Sequence, residues 1–146
     1  MKTNSFDAYL LSLLARREYS RFELSNKLYQ KGASDIEIES LLTKFEKAGF
    51  QSDKRFAECF FRYQVSKLRG PVRILSEMKV KGISKDIYEN LIQRSDIDWH
   101  EVLIKAYIKK FKTEPIVITD YKLKTKKVNY LLAQGFSLDS IIGILS

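Results

Sequence analysis

The sequence is poor in the residues from which many catalytic and covalent sites are built. Its 146 residues include one cysteine, Cys59, and one histidine, His100. These counts exclude a disulfide framework and any metal site that needs several Cys and His ligands. No glycine-rich phosphate-binding motif occurs either. We therefore expect a protein that is not an enzyme and that needs no metal or cofactor.

Long hydrophobic runs are also absent. The apolar stretch at residues 8–15 follows Asp7 and precedes Arg16 and Arg17, where a signal peptide would need small residues. No segment approaches the ~20 apolar residues of a membrane-spanning helix. The apolar fraction of 45% is that of an ordinary globular chain. We expect a soluble, monomeric, cytoplasmic protein.

Acidic residues are fewer than basic residues, and the difference varies along the chain. The chain carries 26 Lys and Arg against 18 Asp and Glu, a formal net charge of +8. Residues 1–49 are close to neutral, whereas eight lysines lie between Lys105 and Lys127 with only Glu114 and Asp120 to oppose them. A polyanion or an acidic protein surface would suit this distribution, although a Lys-rich face that serves solubility explains it equally well.

Signals for the ends and starts of helices recur at a fixed spacing. One pattern, an apolar residue followed by Gly and then Ser, occurs three times: Leu28, Gly32 and Ser34; Met78, Gly82 and Ser84; Leu131, Gly135 and Ser137. The glycines are 50 and 53 residues apart. A helix that ends at Gly, followed by a helix with a Ser N-cap, produces this pattern. A period near 50 residues indicates a tandem helical repeat.

Each repeat has room for one further helix upstream. The predicted upstream helices are Asp7–Arg17, Asp53–Leu68 and Asp96–Phe111. The expected fold is all-α, with about nine helices in three tandem three-helix repeats (residues 1–49, 50–95 and 96–146) stacked into an elongated, curved molecule. Lys112–Thr119 is either a loop, or its Pro115 lies in the first turn of a long helix that runs to Gln134.

The isolated polar groups favour structural roles. Phe56, Cys59, Phe60 and Tyr63 have helical spacing, so we expect Cys59 to be a buried and inert thiol. His100 is expected to be an ordinary surface or half-buried residue. On the third upstream helix, Trp99, Leu103, Ala106 and Lys110 follow one face, and a charged stripe lies opposite.

Basic residues form the best candidate site. Arg69 and Arg73 flank the Gly70-Pro71 turn, where a guanidinium can hold a carboxylate or phosphate with two parallel hydrogen bonds. The alternative is that they pack against local carboxylates such as Glu77. The candidate contact residues are Lys67, Arg69, Arg73, Lys79, Lys81, Lys85, Lys105, Lys109, Lys112, Lys122 and Lys126.

With these repeats, the chain resembles the RecX family, the regulatory proteins of the bacterial recombinase RecA, from about Ala8 to Leu145. The resemblance is carried by residues 16–24, 31–32, 49–57, 69–74, 81–83 and 134–137. The motif residues with an expected structural role are Ser20, Glu23, Gly32, Gly49, Phe50, Asp53, Phe56, Ala57, Gly70, Ile74, Gly82, Gly135 and Phe136. Gln134 departs from the basic residue usual before the third glycine, and Ser52 stands where Asp or Asn is usual.

The resemblance implies a regulator without catalytic activity that binds RecA filaments on single-stranded DNA. Family members lie along the filament groove and suppress ATP turnover, strand exchange and cleavage of the LexA repressor, which tunes recombination, DNA repair and the SOS response. A basic ribbon that contacts several protomers would combine weak contacts through effective concentration. The alternative is a stand-alone DNA-binding protein of the helix-turn-helix type. Weak, non-specific binding to single- or double-stranded DNA is compatible with either interpretation.

Overall fold

The computed structural model describes the backbone of residues 3–146 and the side chains of residues 5–146. Within that range the chain forms nine α-helices and no strand. The helices are α1 (Thr3–Leu14), α2 (Arg21–Gln30), α3 (Asp35–Lys47), α4 (Asp53–Ser66), α5 (Pro71–Val80), α6 (Lys85–Arg94), α7 (Trp99–Phe111), α8 (Tyr121–Gln134) and α9 (Leu138–Leu145). The expected all-α fold of about nine helices is confirmed.

Short-range side-chain contacts start the helices. The Ser20 hydroxyl accepts a hydrogen bond from the backbone N–H of Glu23 (3.1 Å), and the Glu23 carboxylate accepts one from the N–H of Ser20 (3.0 Å). Ser34 and Glu37 form the same capping box before α3. Ser52 accepts from the third residue of α4 at 3.2 Å, so its departure from the family pattern keeps the capping role.

Glycines end the helices where the repeated pattern places them. Gly32, Gly82 and Gly135 have φ values of +91°, +76° and +105°, a left-handed conformation that a side chain makes costly. The Gly49 turn after α3 has a φ of +82°. Two other positions, Leu68 and Lys112, adopt φ values near +60° without being glycine.

Two local expectations are corrected. Cys59 is exposed, because α4 buries Phe56, Ala57 and Phe61 rather than the face that Cys59 shares with Tyr63. The bounds of the upstream helices also differ from those expected, since α1 spans Thr3–Leu14, α4 ends at Ser66 and α7 begins at Trp99.

The stretch Lys112–Thr119 resolves as the loop that one of the two interpretations expected. It includes Pro115, and α8 begins only at Tyr121. The N–H of Ile118 donates to the carbonyl of Leu145 at 3.1 Å, and the Ile118 side chain is buried. The loop is therefore anchored to the end of α9.

The chain forms two compact units. The first contains the chain up to Phe60 together with Met78–Leu91, and the second contains Phe61–Glu77 together with Ile92–Ser146. The predicted repeat boundaries fall between α3 and α4 and between α6 and α7. Residues 1 and 2 of the first predicted repeat lie outside the described residues. The division into three repeats stays a prediction.

Each unit has its own apolar core. In the first, Phe6 and Leu10 of α1 pack with Leu24 and Leu28 of α2 and with Leu42 of α3. In the second, the cluster consists mainly of buried residues from α7, α8 and α9, namely Leu103, Tyr107, Leu131, Ile141 and Leu145. Burial of this apolar surface is the main favourable contribution to the stability of each core.

Candidate interaction surface

In the second unit, the turn before α5 packs against the turn that ends α8. The N–H of Gly70 donates to the carbonyl of Gln134 (2.8 Å), and the N–H of Val72 donates to the carbonyl of Gly135 (3.0 Å). A Cβ atom added to Gly70 would lie 2.3 Å from the carbonyl oxygen of Gly135. The backbones approach this closely only because both residues lack a side chain.

A related contact occurs in the first unit. A Cβ atom added to Gly82 would lie 2.5 Å from the Cβ of Phe22. Beside it, the Lys81 ammonium lies 3.2 Å from the Glu23 carboxylate. The basic residue before this glycine therefore has a local acidic partner, and Lys81 is held in the fold rather than left available.

Glu23 is the most strongly engaged carboxylate of this contact. Partial burial opposes its ionisation, but hydrogen bonds from Arg17, from the N–H of Ser20 and from Lys81 outweigh that effect and hold the pKa of Glu23 below its ordinary value. The ionised Glu23 carboxylate thus accepts hydrogen bonds from three donors, two that precede α2 and one that follows α5.

A polar network places Arg69 and Arg73 in local contacts. Arg69 donates to the Gln64 side chain (2.7 Å), and Gln64 donates to Glu77 (2.7 Å). Arg73 donates to Glu77 (2.9 Å) and to the backbone carbonyl of Ala133 (3.3 Å). Arg73 thus makes the contact with a local carboxylate that is the alternative interpretation, whereas Arg69 bonds to an amide oxygen rather than to a carboxylate. Their contact with a partner stays a prediction.

The candidate lysines divide into paired and unpaired groups. Lys105 lies 2.8 Å from Glu101, and Lys85 lies 3.7 Å from Glu89. Lys67 is placed over the Tyr63 ring, 5.5 Å from its centroid. Among the described residues, the candidates that are exposed and have no side-chain hydrogen bond, ion pair or cation–π contact are Lys79 in the first unit and Lys109, Lys112, Lys122 and Lys126 in the second.

Four of these unpaired lysines lie on the C-terminal end of α7 and the first turns of α8. The Lys127 ammonium donates to the Tyr107 hydroxyl (2.6 Å), and Phe111 packs edge-on against Tyr130 at 5.6 Å between ring centroids. These contacts bring the two helices together. We use the name α7–α8 lysine surface for the exposed side chains of Lys109, Lys112, Lys122 and Lys126 taken as a set.

Sequence reasoning did not identify the aromatic contacts between α7 and α8. Lys127 lies 4.8 Å from the centroids of both Tyr107 and Phe111, and Lys110 lies 5.0 Å from that of Tyr130. Such cation–π contacts occupy two of the lysines between the helices. The sequence signal was the run of Lys and aromatic residues in both helices, but no spacing rule pairs residues 20 positions apart.

The remaining candidate chemistry finds no support in the described part of the chain. No group of three or more His, Cys, Asp or Glu residues that could hold a metal ion occurs there. His100 is exposed in the first turn of α7. None of the described helices combines the length and apolar character required to cross a membrane.

Comparisons with known proteins agree on one family. A family model described as RecX, first three-helix domain, matches residues 8–45, and one described as RecX, second three-helix domain, matches residues 52–91. A crystal structure of RecX from Lactobacillus salivarius has the same fold, with a TM-score of 0.77 at 22% identity over 97% of this chain and 93% of that chain.

Relatives of similar length carry the name "Regulatory protein RecX". The one from Haemophilus influenzae (strain PittEE) is 38% identical over 138 residues, which cover 94% of this chain and 90% of the relative. The one from Legionella pneumophila (strain Corby) is 37% identical over 139 residues, 95% of this chain and 91% of the relative. The chain belongs to the RecX family of regulatory proteins.

Proposed function

We propose that this chain is a non-enzymatic regulator that binds RecA filaments on single-stranded DNA and lowers their ATP hydrolysis, strand exchange and LexA-cleavage activities. Family membership supports the choice of partner. The observation that carries the proposal is the α7–α8 lysine surface, whose four exposed ammonium groups have no acidic partner among the described residues.

Unpaired lysines suit a highly charged partner. A filament on DNA presents phosphates and acidic side chains. A lysine that has no ion pair within the chain can bind these groups without first breaking a salt bridge. The chain's net charge of +8 adds long-range attraction during the encounter. Contacts to neighbouring protomers would further combine through effective concentration.

The other candidate residues are assigned a lesser part. Arg69, Arg73 and Lys81 must exchange local hydrogen bonds before they contact a partner. Lys85 and Lys105 are in exposed pairs within single helices, which contribute little and can open at small cost. Lys79 is the exception, because it is exposed without such a pair and therefore ranks with the lysines of α7 and α8. We therefore rank the unpaired lysines first as filament contacts.

The experiment is a titration of this chain into RecA assembled on single-stranded DNA while ATP hydrolysis is measured. We expect inhibition that rises with the concentration of the chain. A large molar excess in low salt that leaves hydrolysis unchanged would contradict the proposal.

A charge-reversal pair tests the surface. We expect Lys122→Glu with Lys126→Glu to raise the half-inhibiting concentration about tenfold, because each surface charge contact contributes up to about 1 kcal/mol. The matched control is Lys47→Glu with Lys54→Glu, which makes the same change of charge at two exposed, unpaired lysines of the first unit. Equal inhibition by both double variants would remove the surface from the proposed contact.

Stand-alone DNA binding receives less support from the same surface. Lysine supplies charge to a phosphate backbone, but base edges are read mainly by Arg, Asn and Gln. Binding to naked DNA is therefore expected to be weak and to fall linearly in log affinity against log salt. Tight binding to naked DNA at moderate salt, together with unaltered RecA activity, would favour this alternative function.

A further inference from the structure

A groove in the first compact unit has no part in the proposed function. It lies where the turn after α1 meets the turn after α3, and its volume is about 540 Å³. Leu11 and Leu14 line it from α1, and Phe50 lines it from the other side. Leu11 and Phe50 are 43% and 52% exposed. This volume is in the range of sites that bind a small ligand or a few residues of a peptide.

Two arginines of the groove are held in place by neighbouring groups. Arg17 lies 3.0 Å from the Glu23 carboxylate, and its guanidinium carbon is 3.6 Å from the centroid of the Tyr19 ring. Arg55 lies 2.9 Å from Glu18 and donates to the carbonyl of Gly49 at 2.8 Å. Their guanidinium groups are therefore ordered before any ligand arrives, which lowers the entropic cost of binding.

The third arginine is available. Arg16 also lines the groove and is exposed. Its side chain has no hydrogen bond or ion pair to any described residue. Glu18 is the one acidic residue among the described residues that line the groove, and it is already paired with Arg55. The groove therefore keeps an excess of positive charge beside an apolar floor.

We propose that this groove binds a short acidic segment of a partner protein, in which a bulky apolar side chain lies against Leu11, Leu14 and Phe50 and an adjacent carboxylate pairs with Arg16. The planar guanidinium can hold a carboxylate with two parallel hydrogen bonds. An aliphatic and aromatic floor matches an amino-acid side chain, whereas a nucleic-acid strand would offer it a charged backbone. The proposal does not rest on RecA binding, and RecA is not needed to test it.

The test uses the full chain labelled with ¹⁵N and a defined probe, the capped peptide Phe-Asp-Asp-Asp. We expect the amide signals of residues 11–18 and 49–50 to shift and to saturate as the peptide is added. The capped peptides Ala-Asp-Asp-Asp and Phe-Lys-Lys-Lys are controls for the apolar and the acidic part, and both are expected to bind several-fold more weakly. A thymidine oligonucleotide tests the nucleic-acid alternative.

Two variants distinguish binding in the groove from a general effect of positive charge. We expect Arg16→Ala to raise the Kd of the Phe-Asp-Asp-Asp peptide about two- to fivefold, the effect of one exposed charge pair. Lys47→Ala, which removes another exposed and unpaired cation of the first unit, is expected to leave the Kd unchanged. Because the Arg16 side chain has no hydrogen bond or ion pair to the described residues, we expect the variant to keep the native spectrum.

Four outcomes would overturn the proposal. These are the absence of saturable shifts, equal binding of the lysine peptide, equal losses in Arg16→Ala and Lys47→Ala, and shifts of the groove signals with the oligonucleotide but not with the Phe-Asp-Asp-Asp peptide. Saturable shifts confined to the groove and weakened only by Arg16→Ala would support it.

Discussion

At the scale of single residues, the glycines of this chain have different physical roles. Gly135 has a φ of +105°, and an added Cβ would lie 2.3 Å from the Cβ of Arg73 and 2.7 Å from its backbone nitrogen. Gly32 has a positive φ, but nothing lies within 4 Å of an added Cβ. Gly143, within α9, has neither constraint. An alanine at Gly135 would meet both steric conflict and backbone strain, and one at Gly32 would meet backbone strain alone. An alanine at Gly143 would differ from glycine only in helix propensity.

We predict that alanine substitutions at these positions change the free energy of unfolding in a graded way. Gly32→Ala should cost about 1–2 kcal/mol from the left-handed backbone alone. Gly135→Ala should cost roughly 2–4 kcal/mol, because overpacking adds to that strain. Gly143→Ala should stabilise by up to about 1 kcal/mol, since alanine favours a helix interior. Urea unfolding of the three variants measures the order, and equal costs at Gly32 and Gly135 would contradict it.

Glu23 makes stability depend on pH. Its pKa is lowered in the folded chain, chiefly by donors that outweigh partial burial, so its contribution is present above its ordinary pKa of about 4.5 and is lost as pH falls through the lowered value. We predict that Glu23→Gln destabilises the chain by about 1–3 kcal/mol at neutral pH and by progressively less in acid. Thermal unfolding from neutral pH to about pH 3 measures the convergence of the two proteins.

The control for this experiment removes one negative charge without a partner. Glu114 is exposed and has no side-chain hydrogen bond or ion pair among the described residues. Glu114→Gln is expected to leave the free energy of unfolding at neutral pH within about 0.5 kcal/mol of the parent. A Glu23→Gln deficit that stayed constant down to acid pH would show that the ionised carboxylate is not its source.

At the scale of helices, α5 is tied to its neighbours through one side chain. Arg73 donates to Glu77 one turn further along α5 and to the carbonyl of Ala133 near the end of α8. Glu77 also accepts from Gln64 of α4. Arg73 thus connects α5 to α8 directly and to α4 through Glu77, and this connection accounts for a basic residue beside the Gly70-Pro71 turn without any partner.

We predict that Arg73→Met destabilises the chain by about 1–2 kcal/mol, the cost of a charge-assisted hydrogen bond discounted for partial exposure. Lys79→Met, on the same helix and at an exposed lysine without a side-chain partner, should change stability by less than about 0.5 kcal/mol. Chemical denaturation measures both. Equal stabilities of the two variants would show that the Arg73 contacts contribute nothing.

At the scale of the whole molecule, we expect the net positive charge to govern the encounter with the proposed filament partner. The net charge is +8, and the second unit includes the exposed Lys109, Lys112, Lys122 and Lys126, which have no acidic partner among the described residues. An attraction of this kind acts over a distance that salt shortens, from about 10 Å at 0.1 M to about 3 Å at 1 M. Association with an acidic filament should therefore be faster in dilute buffer.

We predict that the association rate constant for RecA filaments falls by about tenfold or more between these two salt concentrations, because electrostatic steering depends steeply on ionic strength. Stopped-flow fluorescence with labelled chain measures the rate. Lys122→Glu with Lys126→Glu should weaken the dependence, whereas Lys47→Glu with Lys54→Glu reports the effect of net charge alone. A rate that salt does not change would argue that steering plays no part.

Interactions between neighbouring residues made the starts and ends of the helices predictable. Ser20 and Glu23 satisfy each other's backbone donors within three residues, and Gly82 or Gly135 ends a helix through its own backbone. Such interactions depend on a few neighbouring residues and leave a pattern in the sequence. For the same reason the all-α class and the number of helices followed from the chain's own pattern.

Contacts between distant residues could not be predicted in this way. The aromatic pattern of α4 allows two adjacent faces to be buried, and its neighbours in the fold select the one without Cys59. Arg73 depends on Ala133, 60 positions away, and the open groove needs Phe50 beside the end of α1. Helix starts and stops were thus readable from the residues, because they are short-range. Which side chains are buried, paired or free to bind followed from packing, because burial and pairing are properties of neighbours that no local spacing specifies.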